Sequence, residues 1–555
     1  MNGTTPALVT ERGARRLPRI PLLLLCAAYV LPGVIGRDPW RGADMAAFGQ
    51  MVAMAEGRTS WWAPTLGGVA ADTALLPHWL GAGFIALLSP AVDPALAARL
   101  PFAVLLAAVL ALVWYTTFHL SRTAAAQPLA FAFGGEAAPV DYARAMADGA
   151  LLALMATLGL LQLGHETTPE LLQLLGAALW LYGLAVAPYR VARARLAVLA
   201  APVLLAASGA PSMGLGLALG GLLVCSASSY AQVRRFTPWV AAGAVLGMVV
   251  ATALDAWQWR SGVPAAAVLP SIARQWAWFM WPAWPLALWT LWRWRRHLRY
   301  RHISVPLVAV AVALASNLAM NGSDRALMLG LPGLAVLAAF ALPTLKRSAS
   351  AAIDWFSMCF FSLVAATIWV VYSAMQTGTP AKTAANVAKL APGFEPLFSA
   401  PALLLAVLGS VAWLAVVRWR TGRHQEALWK SLVLPAGGVA LCWLLLMTLG
   451  LPPLDYARSP RPWVALVAEQ VPPGACVLAP NLAPANVAAL EYFGGWRVDA
   501  QPGAATGAEA SCAFLLVVRR GARQLEVPAG WALQARVIRP AERDEITWVY
   551  RRNGG

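Results

Sequence analysis

Thirteen apolar runs of roughly membrane-spanning length constrain this chain more than any other feature. They lie at about 20–36, 96–117, 146–163, 170–188, 193–209, 212–230, 237–257, 277–292, 303–320, 326–344, 354–372, 399–417 and 431–450. Each is close to the ~20 residues that an α-helix needs to cross hydrocarbon. Of the 555 residues, 59% are hydrophobic and only 12% charged, which excludes disordered, collagenous and disulfide-scaffold classes. The expectation is an α-helical polytopic membrane protein with about thirteen transmembrane helices over residues 1–450.

The formal charge of +17 is spread over short loops between apolar runs, where arginines set topology and meet anionic headgroups. No separate basic domain exists to hold nucleic acid. Only four of the 42 basic residues are Lys, which with abundant Ala, Gly and Pro suggests a GC-rich bacterial source. Arg12, Arg15, Arg16 and Arg19 precede the first run, which reads as a retained signal-anchor helix because GRDPW after it is no processing site.

The fourteen residues Leu75–Leu88 are short for a span. If they do not cross, the Arg-rich loops at 190–195, 234–235, 293–301, 346–347 and 418–423 share the cytoplasmic side with the N-terminus; if they do, all of these move outside. The segment therefore belongs to a long first external loop, 37–95. Residues 451–555 then lie outside as well, in the periplasm of an inner-membrane protein. Their falling hydropathy and the runs at 475–480, 486–495, 512–518, 531–538 and 546–550 read as strand, helix, strand, strand, strand of a small α/β domain. Cys476 and Cys512 each open a strand in an oxidising compartment; a disulfide and two buried thiols both fit.

Acidic groups beside a membrane are costly unless solvated or used. Asp44, in RGADMAAFGQM, is one candidate, with an N-cap as the structural alternative. Glu166 and Glu170, in HETTPELLQLL, are the others; Thr168-Pro169-Glu170 reads as a helix start with a capping Thr. His165 reads as a loop histidine with no second His or Cys near it to share a metal. Cations outside run against the topology bias and suit a phosphate or pyrophosphate: Arg37, Arg41, Arg58, Arg260, Arg274, Arg325, Lys382 and Lys389. Contact with lipid headgroups is their alternative use. The tryptophans Trp40, Trp61, Trp62 and Trp79 match an interfacial belt.

The order of these segments resembles the glycosyltransferase-C superfamily, within it the aminoarabinose transferase and protein O-mannosyltransferase branch. ADMAAFGQMVAMAEG resembles the family's acidic loop helix, and LPHWLGAGFIALLSP the segment ending the loop. RLPFAVLLAAVLALVWYTTFHL, TTPELLQLLGAALWLYGLA and NGSDRALMLGLPGLAVLAAF resemble its second helix, its fourth, and an Arg-bearing turn before a Leu-Pro helix. The resemblance implies a catalytic role for Asp44 and Glu170, with Glu166 one turn earlier. It implies donor-phosphate contacts from Arg260, Arg274, Arg325, Lys382 and Lys389, and substrate contacts from Arg41, Arg58, Asp72, His165 and Trp79. Departures are visible: Asp44 is followed by Met45 where the family often has a second acid. Its loop Lys is Thr73 here, and the Tyr after its late Arg is Ala326.

The implied activity is transfer of a sugar from a polyprenyl-phosphate donor such as undecaprenyl phosphate to a lipid, glycan or protein acceptor. Such transfer needs a carboxylate to align or deprotonate the acceptor and cations to steady the departing phosphate. A non-catalytic lipid-binding or envelope-assembly protein of the same fold is the alternative, and a transporter a further one. Against the transporter stand the missing internal repeat and the scarcity of mid-depth charges. No cofactor is called for; two carboxylate patches could hold a divalent metal, though nothing in the sequence requires one.

Overall fold

The computed structural model describes residues 5–553, apart from 72–73, 133, 258–261, 263, 423–426, 503–511, 522–526 and 528. Every apolar run forms helix. Seven helices are long and apolar enough to cross a membrane, and eight if the bent pair Lys430–Leu446 and Leu451–Arg458 counts as one span. The other five runs fold as shorter or interrupted helices. One break has a clear cause: Thr157 leaves helical backbone (φ −69°, ψ 127°) between Pro139–Ala156 and Leu158–Leu163. Its N–H and hydroxyl both donate to Leu154 O, so the interruption leaves its polar groups satisfied. Another separates Leu269–Phe279 from Ala283–Arg293 at Pro282, which has no N–H to continue a helix. Leu75–Leu88 is a helix over the residues expected.

The chain divides into two compact units. The first comprises Met1–Pro32, Phe102–Ala366 and Leu404–Leu445; the second comprises Gly33–Pro101, Thr367–Leu403 and Leu446–Gly555. The first is a helical bundle that relies on close approach. A Cβ added to Gly243, on Thr237–Ala253, would lie 2.2 Å from Val198 O on the neighbouring helix Val191–Ala207. Asp148, buried in this bundle, accepts from Leu17 N (2.9 Å) and Trp114 Nε1 (2.8 Å), so its desolvation is offset by hydrogen bonds.

The second unit joins the loop after the first helix to the C-terminal segment. Its strands are β1 (Thr65–Leu66), β2 (Val69–Ala70), β3 (Cys476–Leu478), β4 (Arg497–Asp499), β5 (Phe514–Arg520), β6 (Trp531–Arg539) and β7 (Glu542–Arg552). β1 and β2 form a small hairpin; the rest make one sheet in the order β4-β3-β5-β7-β6. β3 runs parallel to both β4 and β5, while β7 is antiparallel to β5 and β6. A parallel pair needs a crossover, which helix Pro484–Gly494 supplies between β3 and β4. Cys476 and Cys512 form a disulfide at the mouths of β3 and β5, with Cα atoms 4.7 Å apart.

The loop helix Ala43–Ala55 lies on Pro484–Gly494. Phe48 meets Tyr492 edge to face with centroids 4.8 Å apart, and a Cβ at Gly49 would fall 2.3 Å from Ala488 Cβ. Ala500 N donates to Gly67 O, so the hairpin turn is stitched to the same domain. Gly49→Val should therefore prise these helices apart and destabilise this unit by about 2 kcal/mol, the usual cost of overpacking. Limited proteolysis within 56–74 would report it; a cleavage rate equal to the parent's would refute the close packing.

Candidate active site

The acids singled out by sequence fall into two groups, each organised by one arginine. In the bundle unit, Arg325 sits in the short helix Asp324–Met328, whose N-terminus Ser323 caps. Its Nη2 lies 2.6 Å from Glu166 Oε2, and its Nη1 lies 3.1 Å from Glu170 Oε2 and 3.0 Å from Thr168 Oγ1. Gln162 Nε2 donates to the other Glu166 oxygen at 3.0 Å. One guanidinium fork thus gathers two carboxylates and a hydroxyl from the turn before Pro169–Val186. Thr168 does stand at the N-cap of that helix, but its side chain makes no cap hydrogen bond there and accepts from Arg325 instead.

His165 is buried rather than solvated. Its ring nitrogens lie against Leu161 O (2.6 Å) and Tyr29 O (2.8 Å), and Trp443 packs on the ring at 4.6 Å. Its position ties helices of the bundle together. Arg274 is exposed on Leu269–Phe279. Arg260 and Asp72 lie outside the described residues.

In the second unit, Asp44 opens helix Ala43–Ala55 and is 2% exposed. Its Oδ2 lies 3.2 Å from Arg37 Nη2 and accepts from Trp40 N at 3.0 Å. The Arg37 guanidinium also covers the Trp40 ring, 4.6 Å from its centroid. The chain leaving the first helix is therefore folded back over the start of the loop helix by one buried carboxylate.

Two of the expected substrate contacts serve as ties within this unit. Arg41 pairs with Glu542 at 2.7 Å, and Arg58 bridges Glu56 (2.7 Å) and Glu491 (2.6 Å). Trp79 Nε1 donates to Trp61 O, and its ring meets Trp62 edge to face. Lys382 and Lys389 are exposed on helix Ala381–Leu390, with no salt bridge among the described residues.

Sequence reasoning missed a third group. Asp38, just after the first helix, and Asp455, on Leu451–Arg458, meet although 417 positions separate them. Arg461 and Ser459 hydrogen-bond to Asp38, and Trp40 Nε1 donates to Asp455. The signal available in the sequence was only that acids follow the first apolar run (RDPW) and the last one (LDYARSPR). Among the described residues, no group of three or more His, Cys, Asp or Glu is placed to hold a metal ion.

Two crystal structures of ArnT from Cupriavidus metallidurans share this architecture. The one bound to undecaprenyl phosphate aligns with a TM-score of 0.60 and 13% identity, over 96% of this chain and 97% of that one. The apo form aligns with a TM-score of 0.57 and 14% identity, over 96% of each chain. The chain has the glycosyltransferase-C fold. The likeness runs through both units of that fold, helical bundle and small C-terminal sheet alike. No family model and no curated protein matches the sequence. At this identity the likeness is one of fold, and the order of segments along the sequence agrees with it.

Proposed function

We propose that this protein is a membrane glycosyltransferase that takes a sugar from a polyprenyl-phosphate carrier. The acceptor is a lipid, glycan or protein on the periplasmic face of a bacterial inner membrane. The observation that carries the reading is the near-complete fold likeness to an ArnT structure that holds undecaprenyl phosphate. The positive-inside reading supports the orientation, since it puts the loop 37–95 and the tail on the same, non-cytoplasmic side.

In this reading Arg274, Lys382 and Lys389, together with Arg260, offer charge to the donor phosphate, while Arg325 holds the acidic turn. An exposed ammonium or guanidinium can stabilise the negative charge that grows on a departing phosphate. Asp44, Glu166 and Glu170 act in concert with their arginines and orient the loops that carry substrate. The second reading, a lipid-binding protein of the same fold without catalysis, draws on one observation: all three of these carboxylates are already paired with arginine.

Release of undecaprenyl phosphate from undecaprenyl-phosphate-linked hexoses and pentoses, incubated with envelope lipid and glycan extracts, separates the two readings. The expected result is release that depends on the acceptor extract. Replacing Arg274, Lys382 and Lys389 together by Gln should weaken undecaprenyl phosphate binding about tenfold or more, ~1.4 kcal/mol per decade. Binding of undecaprenyl phosphate without release from any donor would favour the non-catalytic reading, and neither binding nor release would reject both.

A further inference from the structure

Within the loop-and-tail unit, Asp38 and Asp455 face an open cleft of about 440 Å³. Glu395, Tyr456, Ser459 and Arg461 are its other polar members, and Phe394, Leu397, Leu451 and Pro452 supply apolar wall. Tyr456 and Phe394 form an aromatic corner, with centroids 5.6 Å apart. The Tyr456 hydroxyl is anchored on Pro392 O at 2.5 Å. A concave, largely apolar surface with a few convergent polar groups is the usual make-up of a small-ligand site.

The two aspartates are not equivalent. Asp38 is spent: Arg461 Nη2 reaches Oδ1 at 2.6 Å, Arg461 Nε reaches Oδ2 at 2.8 Å, and Ser459 Oγ donates to Oδ2 at 2.8 Å. Burial pushes this carboxyl up, but those hydrogen bonds outweigh it and hold it below the ordinary carboxylate range. Asp455 has no ion pair among the described residues. Its Oδ1 accepts from Trp40 Nε1 (2.9 Å) and Asp38 N (3.1 Å), whereas Oδ2 receives only the longer Asp38 N–H, at 3.3 Å. Lone pairs on Oδ2 therefore remain for a ligand.

Leu451–Arg458 is a separate helix from the apolar Lys430–Leu446, and with Asp455 and Arg458 on it we take the span to end at Leu446. Burial first, and then the like charge of Asp38, push Asp455 up to about 6. Arg37 pulls the other way, and Arg99 and Arg461 also lie within electrostatic reach. A carboxylate tuned to that range is ionised at neutral pH and still basic enough to take a proton in a transition state.

We infer that this cleft receives a hydroxyl-bearing, uncharged acceptor such as a sugar ring, and that Asp455 is the general base that deprotonates it. The inference rests on the transferase reading and adds to it the acceptor class and the base. As the acceptor oxygen bonds to the anomeric carbon, its proton passes to Asp455 Oδ2. The bond from that carbon to the phosphate oxygen breaks, and its electron pair leaves on the polyprenyl phosphate. A phosphorylated acceptor is disfavoured, because the cleft presents three carboxylates against one guanidinium already committed to Asp38. Asp38 is a positioning residue: its fixed charge keeps its neighbour basic.

Two arms test this. In the release assay, wild-type turnover should rise with pH through about 6. Asp455→Asn should lose about 100-fold in kcat together with that acidic limb, with the donor KM and undecaprenyl phosphate binding retained. Asp455→Glu should recover part of the rate. Full turnover by Asp455→Asn, or an acidic limb left in place, overturns the inference and leaves the transferase reading standing. If Asp455→Asn misfolds, Leu397→Trp, which narrows the cleft from its exposed rim, takes its place: lost turnover with donor binding kept supports the acceptor cleft, and wild-type turnover overturns it. The second arm needs no activity. An infrared titration should show a protonated-carboxyl band that disappears near pH 6 in the wild type and is missing from Asp455→Asn; no such band overturns the assignment of the base. A protein that titrates as expected yet neither binds undecaprenyl phosphate nor releases it from any donor rejects the transferase reading itself.

Discussion

Arg325→Gln is expected to destabilise the bundle by about 3–5 kcal/mol, the range seen when one member of a buried ion pair is removed. Arg325 hydrogen-bonds to both Glu166 and Glu170, and the side chain of Glu166 is 5% exposed. Without the guanidinium, two like charges lose the cation they share. Thr168 Oγ1 would lose its donor as well. Arg325→Lys should rescue only part of this, since an ammonium cannot fork between two carboxylates and a hydroxyl. The diagnostic measurement is a double-mutant cycle. Glu166→Gln on the Arg325→Gln background should restore stability relative to Arg325→Gln alone, as judged by thermal unfolding in detergent. Strictly additive losses would mean that the cluster is a set of independent surface contacts.

Arg37→Met should cost a similar amount, about 3–5 kcal/mol, for a related reason. The Arg37 side chain is fully buried and that of Asp44 is 2% exposed, so the variant takes away the guanidinium 3.2 Å from Asp44 and keeps the Trp40 N–H and the charge of Arg99 beside it. Loss of an adjacent cation shifts a buried carboxyl toward its protonated form. A group shifted in that direction contributes most below its unfolded pKa and loses its contribution as pH rises through the folded one. The deficit of Arg37→Met against the parent should therefore shrink on acidification and widen toward neutrality. Adding Asp44→Leu should remove both the deficit and its pH dependence. A deficit independent of pH would show that the lost charge pairing with Asp44 is not its cause. The same burial changes what Asp44→Asn can report. Read from sequence, that substitution looks neutral for folding; with the carboxylate enclosed around Arg37, lost transfer has to be separated from lost stability before any chemical role is assigned.

Comparison of particular elements shows where the sequence was informative. Leu75–Leu88 was bounded to the residue, because an apolar block closed by Ser-Pro has one place to start and stop. The strand, helix and strand pattern of the tail was also visible, since alternation and turn residues are local signals. The three-residue strand β4 was not, being too short to show a period, and neither were the helices Leu451–Arg458 and Arg461–Ala468, whose prolines and charges resemble a linker.

What the sequence determined by itself is therefore the membrane class, the candidate spans, the acidic loop and the α/β tail, all of which follow from hydropathy and charge along the chain. Which charge meets which was decided by tertiary structure alone. Nothing in the sequence pairs Arg325 with a turn 155 residues earlier, or Asp38 with Asp455 across 417. Coulomb attraction and desolvation act through space, and their sign at a given carboxylate depends on whether folding brings up a guanidinium, a second acid or an open wall. Asp44, prominent in the sequence, ended enclosed; Asp455, inconspicuous in a short polar helix, ended facing the cleft.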